Sequence, residues 1–421
     1  MITSSVPALR VGVARCEVDV PAGTPMAGYA ARASASTGVH DQLLVSALVV
    51  DHVAIVTVDC CALHEDTCSE IGSLVSELID DVVVTATHTH SGPCIAPGRL
   101  GPLAPAVLAD VVRAAVDAVG TAVASARGCS ADFGEVGGLG IAADRRHLDR
   151  KIDPPLHAVR FTDNSGQVVA HLVSFPCHPV VLDATNTLIS ADYPHRLRAD
   201  VEQGCPGSIC VFATGVAGDI NTGHSAEASY TTQGSRARTF SEADRIGTAL
   251  ASAVRSMAFQ PITIAAPARL STVPVRLPFA PVDPAAVAVD VADWTRELET
   301  ADAGRSALLQ SWIDWAGERI TPEPAAWSGR VGLIRLGGLA VITLPGEPFS
   351  AVAEAIRAGR TGPTIVLGYC DGVPGYFPTR DAYPEGGYEV VDAHRYYGMP
   401  APFAAGSAEQ LVAAADTLLS S

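Results

Sequence analysis

Apolar residues recur along the chain with two different periods, and each period predicts one kind of element. Runs rich in valine and isoleucine predict strands, because β-branched residues pack well on a pleated sheet. These predicted strands cover residues 9–20, 45–50, 53–59, 82–87, 156–161, 168–175, 209–214, 331–336, 339–344 and 364–367. Helical spacing predicts helices over 65–79, 104–125, 193–202, 241–257, 289–298, 307–320 and 351–358. Strands and helices alternate through the first half, so we predict an α/β fold with a mixed β-sheet flanked by helices.

Residues 280–327 differ in character from the chain around them. Helical periodicity occurs twice in this segment, between clusters of proline. We predict a helical insertion within a single domain that spans residues 1–421, and we expect it to form a lid over the functional site.

Composition narrows the class of protein. Of the 421 residues, 48% are hydrophobic and 17% are charged, which favours a large buried core over disorder. The formal net charge of −17 argues against a nucleic-acid partner, because such proteins present a basic face. No apolar run approaches the roughly 18 residues that a membrane span needs.

The ten cysteines bear on the compartment. They show no CxxC pair and no regular spacing, so we expect reduced, buried thiols that act as small hydrophobes. The first 15 residues contain no basic stretch followed by an apolar one, so we expect no secretory signal. Both features predict a cytoplasmic protein.

Residues that can bind a metal or carry a proton follow several predicted strands. His88 and His90 come before a Ser-Gly-Pro turn, and their spacing of two places both imidazoles on one side of an extended chain. His178 and Glu347 also follow apolar strands, each immediately before a proline. A metal site, an acid–base site, and hydrogen bonds or charges that only serve the strand ends and turns all fit this pattern.

Two further strand ends carry polar groups. Asp59 ends a buried strand, and it either faces a site or caps the next helix. The glycine-rich turn at 215–221 includes Gly218, Asp219 and Asn221 but no phosphate-loop lysine. We therefore interpret this turn as a site loop and not as a nucleotide loop.

Seven short motifs in a fixed order carry a resemblance to a known family. They are Pro25-Met26-Ala27-Gly28-Tyr29-Ala30, Gly38-Val39-His40-Asp41, Thr87-His88-Thr89-His90-Ser91-Gly92-Pro93, Cys177-His178-Pro179, Ala217-Gly218-Asp219, Pro345-Gly346-Glu347, and Gly375-Tyr376 with Thr379-Arg380. With these motifs the chain resembles the neutral/alkaline (non-lysosomal) ceramidases, zinc-dependent amidases, over essentially its whole length. The His-Thr-His-Ser-Gly-Pro run is the most specific of the seven.

The resemblance implies a set of metal ligands. It implies a zinc ion held by His88, His178, Glu347 and Tyr376. Two histidines and one carboxylate leave room for water and substrate, as a catalytic zinc requires. His90 would lie beside the metal and handle protons, and Tyr376 would either bind the metal or stabilise an oxyanion.

The resemblance also implies residues that face the substrate. Gly218, Asp219 and Asn221 would lie against it, and Asn221 can donate a hydrogen bond to an oxyanion. Arg145 either binds a polar or anionic substrate group or is a surface charge in a loop.

Two differences from the family bear on the substrate. The family has a serine where this chain has Asn221, and asparagine cannot replace serine as a nucleophile. The chain also ends soon after Tyr388, so we expect no C-terminal β-sandwich domain. Both differences favour a small or polar acyl compound over ceramide.

These observations predict a zinc-dependent hydrolase that cleaves an amide (N-acyl) bond with metal-activated water. One alternative is a zinc-dependent acyl-transfer or ring-forming enzyme that uses the same site. Another is a binding protein without turnover. A small-molecule substrate is common to all three, and a homo-oligomer is left open.

Overall fold

A computed structural model describes residues 9–226, 231–319 and 325–421. Residues 1–8 lie outside these ranges, and the expectation about a secretory signal concerns that segment. Residue 320, the predicted end of a helix, also lies outside them. Within the described ranges, no helix combines the length and the apolar character needed to cross a membrane.

The described chain forms nineteen strands and ten α-helices, and a 3-10 helix covers Arg380–Glu385. The strands are β1 (Leu9–Val18), β2 (Gly38–Val39), β3 (Leu43–Val50), β4 (Val53–Val58), β5 (Asp81–Ala86), β6 (Arg127–Val136), β7 (Ala143–Asp144), β8 (Leu156–Asp163), β9 (Val168–Phe175), β10 (Leu188–Ile189), β11 (Ile209–Thr214), β12 (Ile220–Asn221), β13 (Gln260–Pro261), β14 (Arg269–Pro278), β15 (Ala326–Leu336), β16 (Leu339–Thr343), β17 (Glu347–Pro348), β18 (Thr364–Leu367) and β19 (Tyr376–Phe377). The helices are α1 (Glu65–Leu74), α2 (Pro105–Ser125), α3 (Tyr193–Gly204), α4 (Phe240–Ser256), α5 (Pro284–Leu298), α6 (Ala303–Arg319), α7 (Ser350–Arg357), α8 (Tyr388–Val391), α9 (Ala393–Tyr396) and α10 (Ser407–Ser420).

Two sheets form the centre of the fold. The large sheet has the strand order β11-β9-β8-β6-β1-β3-β4-β5, with β13 paired to β6. Its two end pairs, β11 with β9 and β4 with β5, are parallel, and the pairs between them are antiparallel. The small sheet has the order β14-β15-β16-β18, in which only β16 and β18 run parallel.

The inner faces of the two sheets share one apolar core. Val50 and Ile55 of the large sheet belong to the same buried cluster as Val341 and Ile365 of the small sheet. Helices α1 to α4 pack on the outer face of the large sheet, and α7 and α10 pack on that of the small sheet. Because both faces of most strands are covered, these strands are apolar throughout instead of alternating. The predicted mixed sheet flanked by helices is confirmed, and the second sheet is an addition.

Helix α1 is shorter than predicted. The periodicity predicts a helix over 65–79, whereas α1 ends at Leu74. The hydroxyls of Ser73 and Ser76 donate to the backbone carbonyls of Ser69 and Ser73, respectively. Serine bonds of this kind compete with the regular helical pattern, which accounts for the early end.

Helices α5 and α6 occupy the segment predicted as a helical insertion. They pack through a small cluster of their own, formed by Trp294, Leu308, Leu309 and Trp312, and Ala30 packs against this cluster. That this helical insertion forms a lid over the functional site stays a prediction.

All ten cysteines are unpaired, and eight of them are buried. Apolar surroundings favour the thiol over the thiolate, and burial raises the pKa of Cys94 to about 12. The thiols therefore act as small apolar side chains, as predicted.

Strand ends from both sheets meet at one place. The edge strands β11 and β5 approach each other there, and the Thr214 hydroxyl donates to the Thr87 carbonyl at 2.7 Å. The short strands β17 and β19 lie beside them in parallel, with Glu347 opposite Tyr376. His88 follows β5, His178 follows β9, and Glu347 follows β16. The fold thus gathers these three residues from distant parts of the chain.

Candidate metal centre

His88 lies in a tight turn beyond the end of β5. Its φ is +68°, which is uncommon outside glycine and marks a strained backbone position. Its backbone N–H donates to the Cys60 carbonyl at 2.9 Å, and its Nδ1–H donates to the Cys61 carbonyl at 2.6 Å. Because Nδ1 is held by a carbonyl, Nε2 points into the centre.

His178 is fixed by the same device on the other side of the centre. Its backbone N–H donates to the Ile220 carbonyl at 3.1 Å, and its Nδ1–H donates to the same oxygen at 2.9 Å. The imidazole is fully buried, and Nε2 again faces inward.

Glu347 completes the group from the start of β17, directly after the turn that follows β16. Gly346 has a φ of +59°, and a Cβ there would lie 2.5 Å from the Phe377 ring, so the turn requires glycine. The Glu347 backbone N–H donates to the Gly375 carbonyl at 2.9 Å. Its Oε2 lies 2.9 Å from His178 Nε2 and 3.2 Å from His88 Nε2.

The chemistry of these atoms fits a cation. A carbonyl only accepts, so each histidine keeps its proton on Nδ1 and, when neutral, turns a lone pair on Nε2 towards the carboxylate. Three lone-pair atoms repel each other at this distance unless a proton or a metal ion lies among them. His88, His178 and Glu347 each offer one ligand atom, all within 4.8 Å of one another. Two imidazoles and one carboxylate form a donor set typical of catalytic zinc.

The charges in the centre favour the same conclusion. Burial disfavours an imidazolium, but the Glu347 carboxylate outweighs it at His88 and raises the pKa of His88 to about 10. At His178, burial and the charge of Arg145 lower the pKa to about 4. Glu347 therefore attracts one positive charge in a group of fully buried side chains.

His90 lies next to this group, as the resemblance implied. Its Nε2 is 3.1 Å from His88 Nε2, and no described residue offers a partner to its Nδ1. Burial, followed by the charge of His88, holds the pKa of His90 well below its usual range. An imidazole nitrogen without a partner can accept or pass on a proton. Cys61, His88 and His90 also form a group whose ligand atoms lie within 4.8 Å.

Tyr376 and Arg145 border the centre from the side of β19. Tyr376 is 5% exposed and lies opposite Glu347 in the β17–β19 pair. The Arg145 guanidinium carbon is 5.2 Å from the centre of the Tyr376 ring, and its Nη1 is 3.5 Å from His178 Nε2. Arg145 is 7% exposed and pairs with Glu389 at 2.8 Å, so it is buried at the site and is not a surface charge.

A polar cleft of about 700 Å³ leads to Arg145. Charged side chains dominate its walls, among them Arg146, Asp149, Glu385 and Glu389. Leu148, Ala226 and the ring of Tyr388 contribute apolar surface to it.

The glycine-rich turn supports the centre from behind. Gly218 donates its N–H to the Pro348 carbonyl at 2.9 Å, and a Cβ there would lie 2.4 Å from the Glu347 carbonyl oxygen. The Asp219 carboxylate accepts from the backbone and hydroxyl of Ser350, at 2.6 and 2.9 Å. Burial raises the pKa of Asp219 to about 6. Gly218 and Asp219 therefore contact the Glu347 segment.

Asn221 closes its own loop. Its Oδ1 accepts from the N–H groups of Gly223 and His224, at 2.8 and 3.1 Å, and its Nδ2 donates to the His224 carbonyl at 2.7 Å. These bonds engage both polar atoms of the side chain. The predicted oxyanion contact of Asn221 stays a prediction.

Three residues at the centre were not singled out from the sequence. Tyr397 donates its hydroxyl hydrogen to Glu347 Oε1, Glu389 pairs with Arg145, and the Tyr369 ring stacks on His88 with 4.3 Å between ring centres. Tyr369 lies in the aromatic, glycine-rich segment that follows β18, and the tyrosines of that segment were the available clue.

The fold is that of the neutral ceramidases. No protein-family model matches the sequence. The crystal structure of neutral ceramidase from Pseudomonas aeruginosa matches with a TM-score of 0.73, over 98% of this chain and 74% of that chain, at 17% sequence identity. A structure described as ceramidase complexed with C2 matches with a TM-score of 0.73, over 98% of this chain and 75% of that chain, at 15% identity. The resemblance inferred from the motifs is thereby confirmed as a likeness of fold.

Proposed function

We propose that the protein is a zinc-dependent hydrolase that cleaves the amide bond of a small or polar N-acyl compound. The observation that supports this best is the convergence of His88 Nε2, His178 Nε2 and Glu347 Oε2 in a buried site that attracts one positive charge. The fold of the neutral ceramidases is consistent with it.

Each residue of the centre has a part in this proposal. His88, His178 and Glu347 hold the zinc ion, with Tyr376 beside them. A bound zinc ion lowers the pKa of water to about 7 and polarises a carbonyl group. We assign His90, whose Nδ1 has no partner among the described residues, to take a proton from the attacking water and to return it to the leaving amine.

The cleft favours a polar substrate. Its walls carry charges of both signs, which can bind polar groups of a substrate, beside apolar surface from Leu148, Ala226 and Tyr388. Arg145 lies between the cleft and His178, where a guanidinium orients a carboxylate or a carbonyl oxygen.

Zinc content is the first test. Purified protein is expected to hold about one zinc per chain, and His88→Ala and His178→Ala are expected to lose most of it. His52→Ala is a matched control, because His52 is an exposed histidine paired with Asp80. A wild-type protein that takes up no zinc even after reconstitution would overturn the proposal.

Product analysis is the second test. Zinc-loaded protein is incubated with N-acyl amides, esters and lactams of polar acids. A hydrolase releases free acid and amine, whereas an acyl-transfer or ring-forming enzyme gives a condensed product. Retention of a ligand without either product would favour the binding protein.

A further inference from the structure

The two oxygens of Glu347 have different partners. Oε2 faces the two histidines, and Oε1 accepts a hydrogen bond from the Tyr397 hydroxyl. Tyr397 is 2% exposed, and a phenol hydroxyl is protonated at neutral pH, so it is a hydrogen-bond donor. A bond from a phenol to a buried carboxylate is charge-assisted and stronger than a neutral bond.

We infer that Tyr397 is a positioning residue that orients Glu347 towards the metal, and that the α5–α6 hairpin holds Tyr397 in place. This inference rests on the proposed function, since it concerns the same metal centre. It adds a residue and a supporting element that neither the motifs nor the family resemblance singled out.

The α5–α6 hairpin contacts the chain at Arg395, two residues before Tyr397. The Arg395 guanidinium carbon lies 5.0 Å from the ring centres of both Trp294 and Trp312, and 5.6 Å from that of Trp315. Contacts of a guanidinium with aromatic faces are favourable, and more so where the pair is shielded from water. Three aromatic rings from α5 and α6 therefore surround a side chain two residues from Tyr397.

The hairpin also contacts the chain at Met399, two residues after Tyr397. Trp315 Nε1 donates to the Met399 carbonyl at 2.7 Å, within a buried contact. The segment that carries Tyr397 is thus held on both sides by α6. A shift of the hairpin would move the Tyr397 hydroxyl and, with it, Glu347.

Loss of the Tyr397 hydroxyl leaves Glu347 Oε1 buried with one partner fewer, and the carboxylate gains freedom to rotate away from the ligand geometry. Removing such an outer hydrogen-bonding partner typically lowers metal affinity by about 10- to 100-fold. Tyr397→Phe is therefore expected to bind zinc about 10- to 100-fold more weakly than wild type.

The neighbouring tyrosine provides a matched control. Tyr396 is half-buried, and its hydroxyl donates to the Leu100 carbonyl at 2.9 Å and not to a proposed ligand. Tyr396→Phe loses one hydroxyl from the same segment, so an effect on folding alone would appear in both variants. Its zinc affinity is expected to stay within about threefold of wild type.

The experiment is a zinc titration against a chromophoric chelator, with thermal unfolding of each zinc-free variant as the test of folding. Cobalt(II) substitution gives a second readout, because its visible absorption reports coordination geometry. Tyr397→Phe is expected to change this spectrum and Tyr396→Phe to leave it unchanged. Trp315→Phe removes the bond to Met399, and we expect it to weaken zinc binding less than Tyr397→Phe does.

The outcomes separate this inference from the proposed function. A wild-type protein that binds neither zinc nor cobalt overturns both. Tight binding by wild type, with the same affinity and cobalt spectrum in Tyr397→Phe, overturns the inference and leaves the proposed function standing. Equal losses in Tyr397→Phe and Tyr396→Phe also overturn it, because they indicate a general effect on the segment. An unchanged affinity in Trp315→Phe overturns the part assigned to the hairpin.

Discussion

The ion pair between Asp59 and Arg198 lies beneath the metal centre, and its removal is a severe test of the structure. Arg198 donates from Nη1 to Asp59 Oδ1 at 2.9 Å and from Nη2 to Oδ2 at 2.7 Å, and both residues are at most 3% exposed. Asp59 also accepts from the Leu44 backbone N–H and from the Thr87 hydroxyl, at 2.9 and 3.1 Å. Thr87 directly precedes His88, so this carboxylate helps to fix the turn that carries a proposed ligand.

The expected magnitude follows from burial. Arg198→Met leaves the Asp59 carboxylate in the core without its counter-charge, which costs about 3–5 kcal/mol in the free energy of unfolding. Asp59→Asn leaves Arg198 in the same position and is expected to cost a similar amount. The double variant carries no buried charge and loses mainly hydrogen bonds, at about 1 kcal/mol each. We therefore expect a coupling energy of at least about 2 kcal/mol between the two positions.

The assay is urea unfolding of the four proteins, freed of metal and followed by tryptophan fluorescence and circular dichroism. Each single variant should unfold at a clearly lower urea concentration than wild type, and the double variant should lose less stability than the two single losses added together. Additive effects, or a loss below about 1 kcal/mol in Arg198→Met, would contradict a buried, paired carboxylate at this position.

Three further predictions follow from separate features. Gly28 has a φ of +101°, and a Cβ there would lie 2.6 Å from His90 Cβ, whereas Gly23, at φ +90°, has nothing within 4 Å. Gly28→Ala should therefore lower the melting temperature well beyond the loss in Gly23→Ala, and equal losses would exclude the contact. Burial, followed by the charge of Arg160, lowers the pKa of His171 from 6.5 to about 4. Between these two pH values the unfolded chain binds a proton at this histidine and the folded chain does not, so the free energy of unfolding falls as the pH is lowered. This group alone should reduce the free energy of unfolding by about 2 kcal/mol between pH 8 and pH 5. His171→Gln should remove that part of the pH dependence of the free energy of unfolding. An unchanged pH dependence in the variant would count against a neutral His171. Replacing the α5–α6 hairpin with a short glycine-serine linker should weaken zinc binding if the hairpin supports the centre, whereas a hairpin that serves only as a lid would leave zinc affinity unchanged and broaden the range of amides cleaved.

The strand ends were predictable because the strands themselves are conspicuous. Apolar β-branched runs predict β5, β9 and β16. The polar residue that follows each run is easily recognised, because the run itself contains few polar side chains. His88 and His90 lie beyond the end of β5 at Ala86, so the alternation of side chains along a strand does not apply to them. Their Nε2 atoms lie 3.1 Å apart because the turn at His88 brings them together, and not because side chains alternate along a strand.

The glycine-rich turn shows where local reasoning ends. A glycine lets another group come close to its backbone, but the sequence does not indicate which group that is. At Gly218 the neighbour is the backbone of Glu347, and the adjacent Asp219 accepts from Ser350 at the start of α7. Asp59 shows the same limit, because it neither faces the centre nor caps a helix but pairs with an arginine 139 positions along the chain.

The contacts around Tyr397 could not be predicted from the sequence, since they join residues far apart in the chain. Glu347 and Tyr397 are 50 positions apart, and Trp315 and Met399 are 84 positions apart. Neither pair has a spacing that a helix or a strand would display. The sequence indicates that a helical segment lies at 280–327, but only the packed structure connects it to the centre.

The arrangement of the ligands has a consequence for stability. His88 and His178 follow strands of the large sheet, whereas Glu347 follows a strand of the small sheet. The distance between the carboxylate and the two imidazoles is therefore set by how the two sheets pack through their shared core. An ion bound by all three residues would tie the sheets together, and its binding free energy would add to the stability of that packing. For the same reason, substitutions in the core between the sheets should weaken metal binding without touching a ligand.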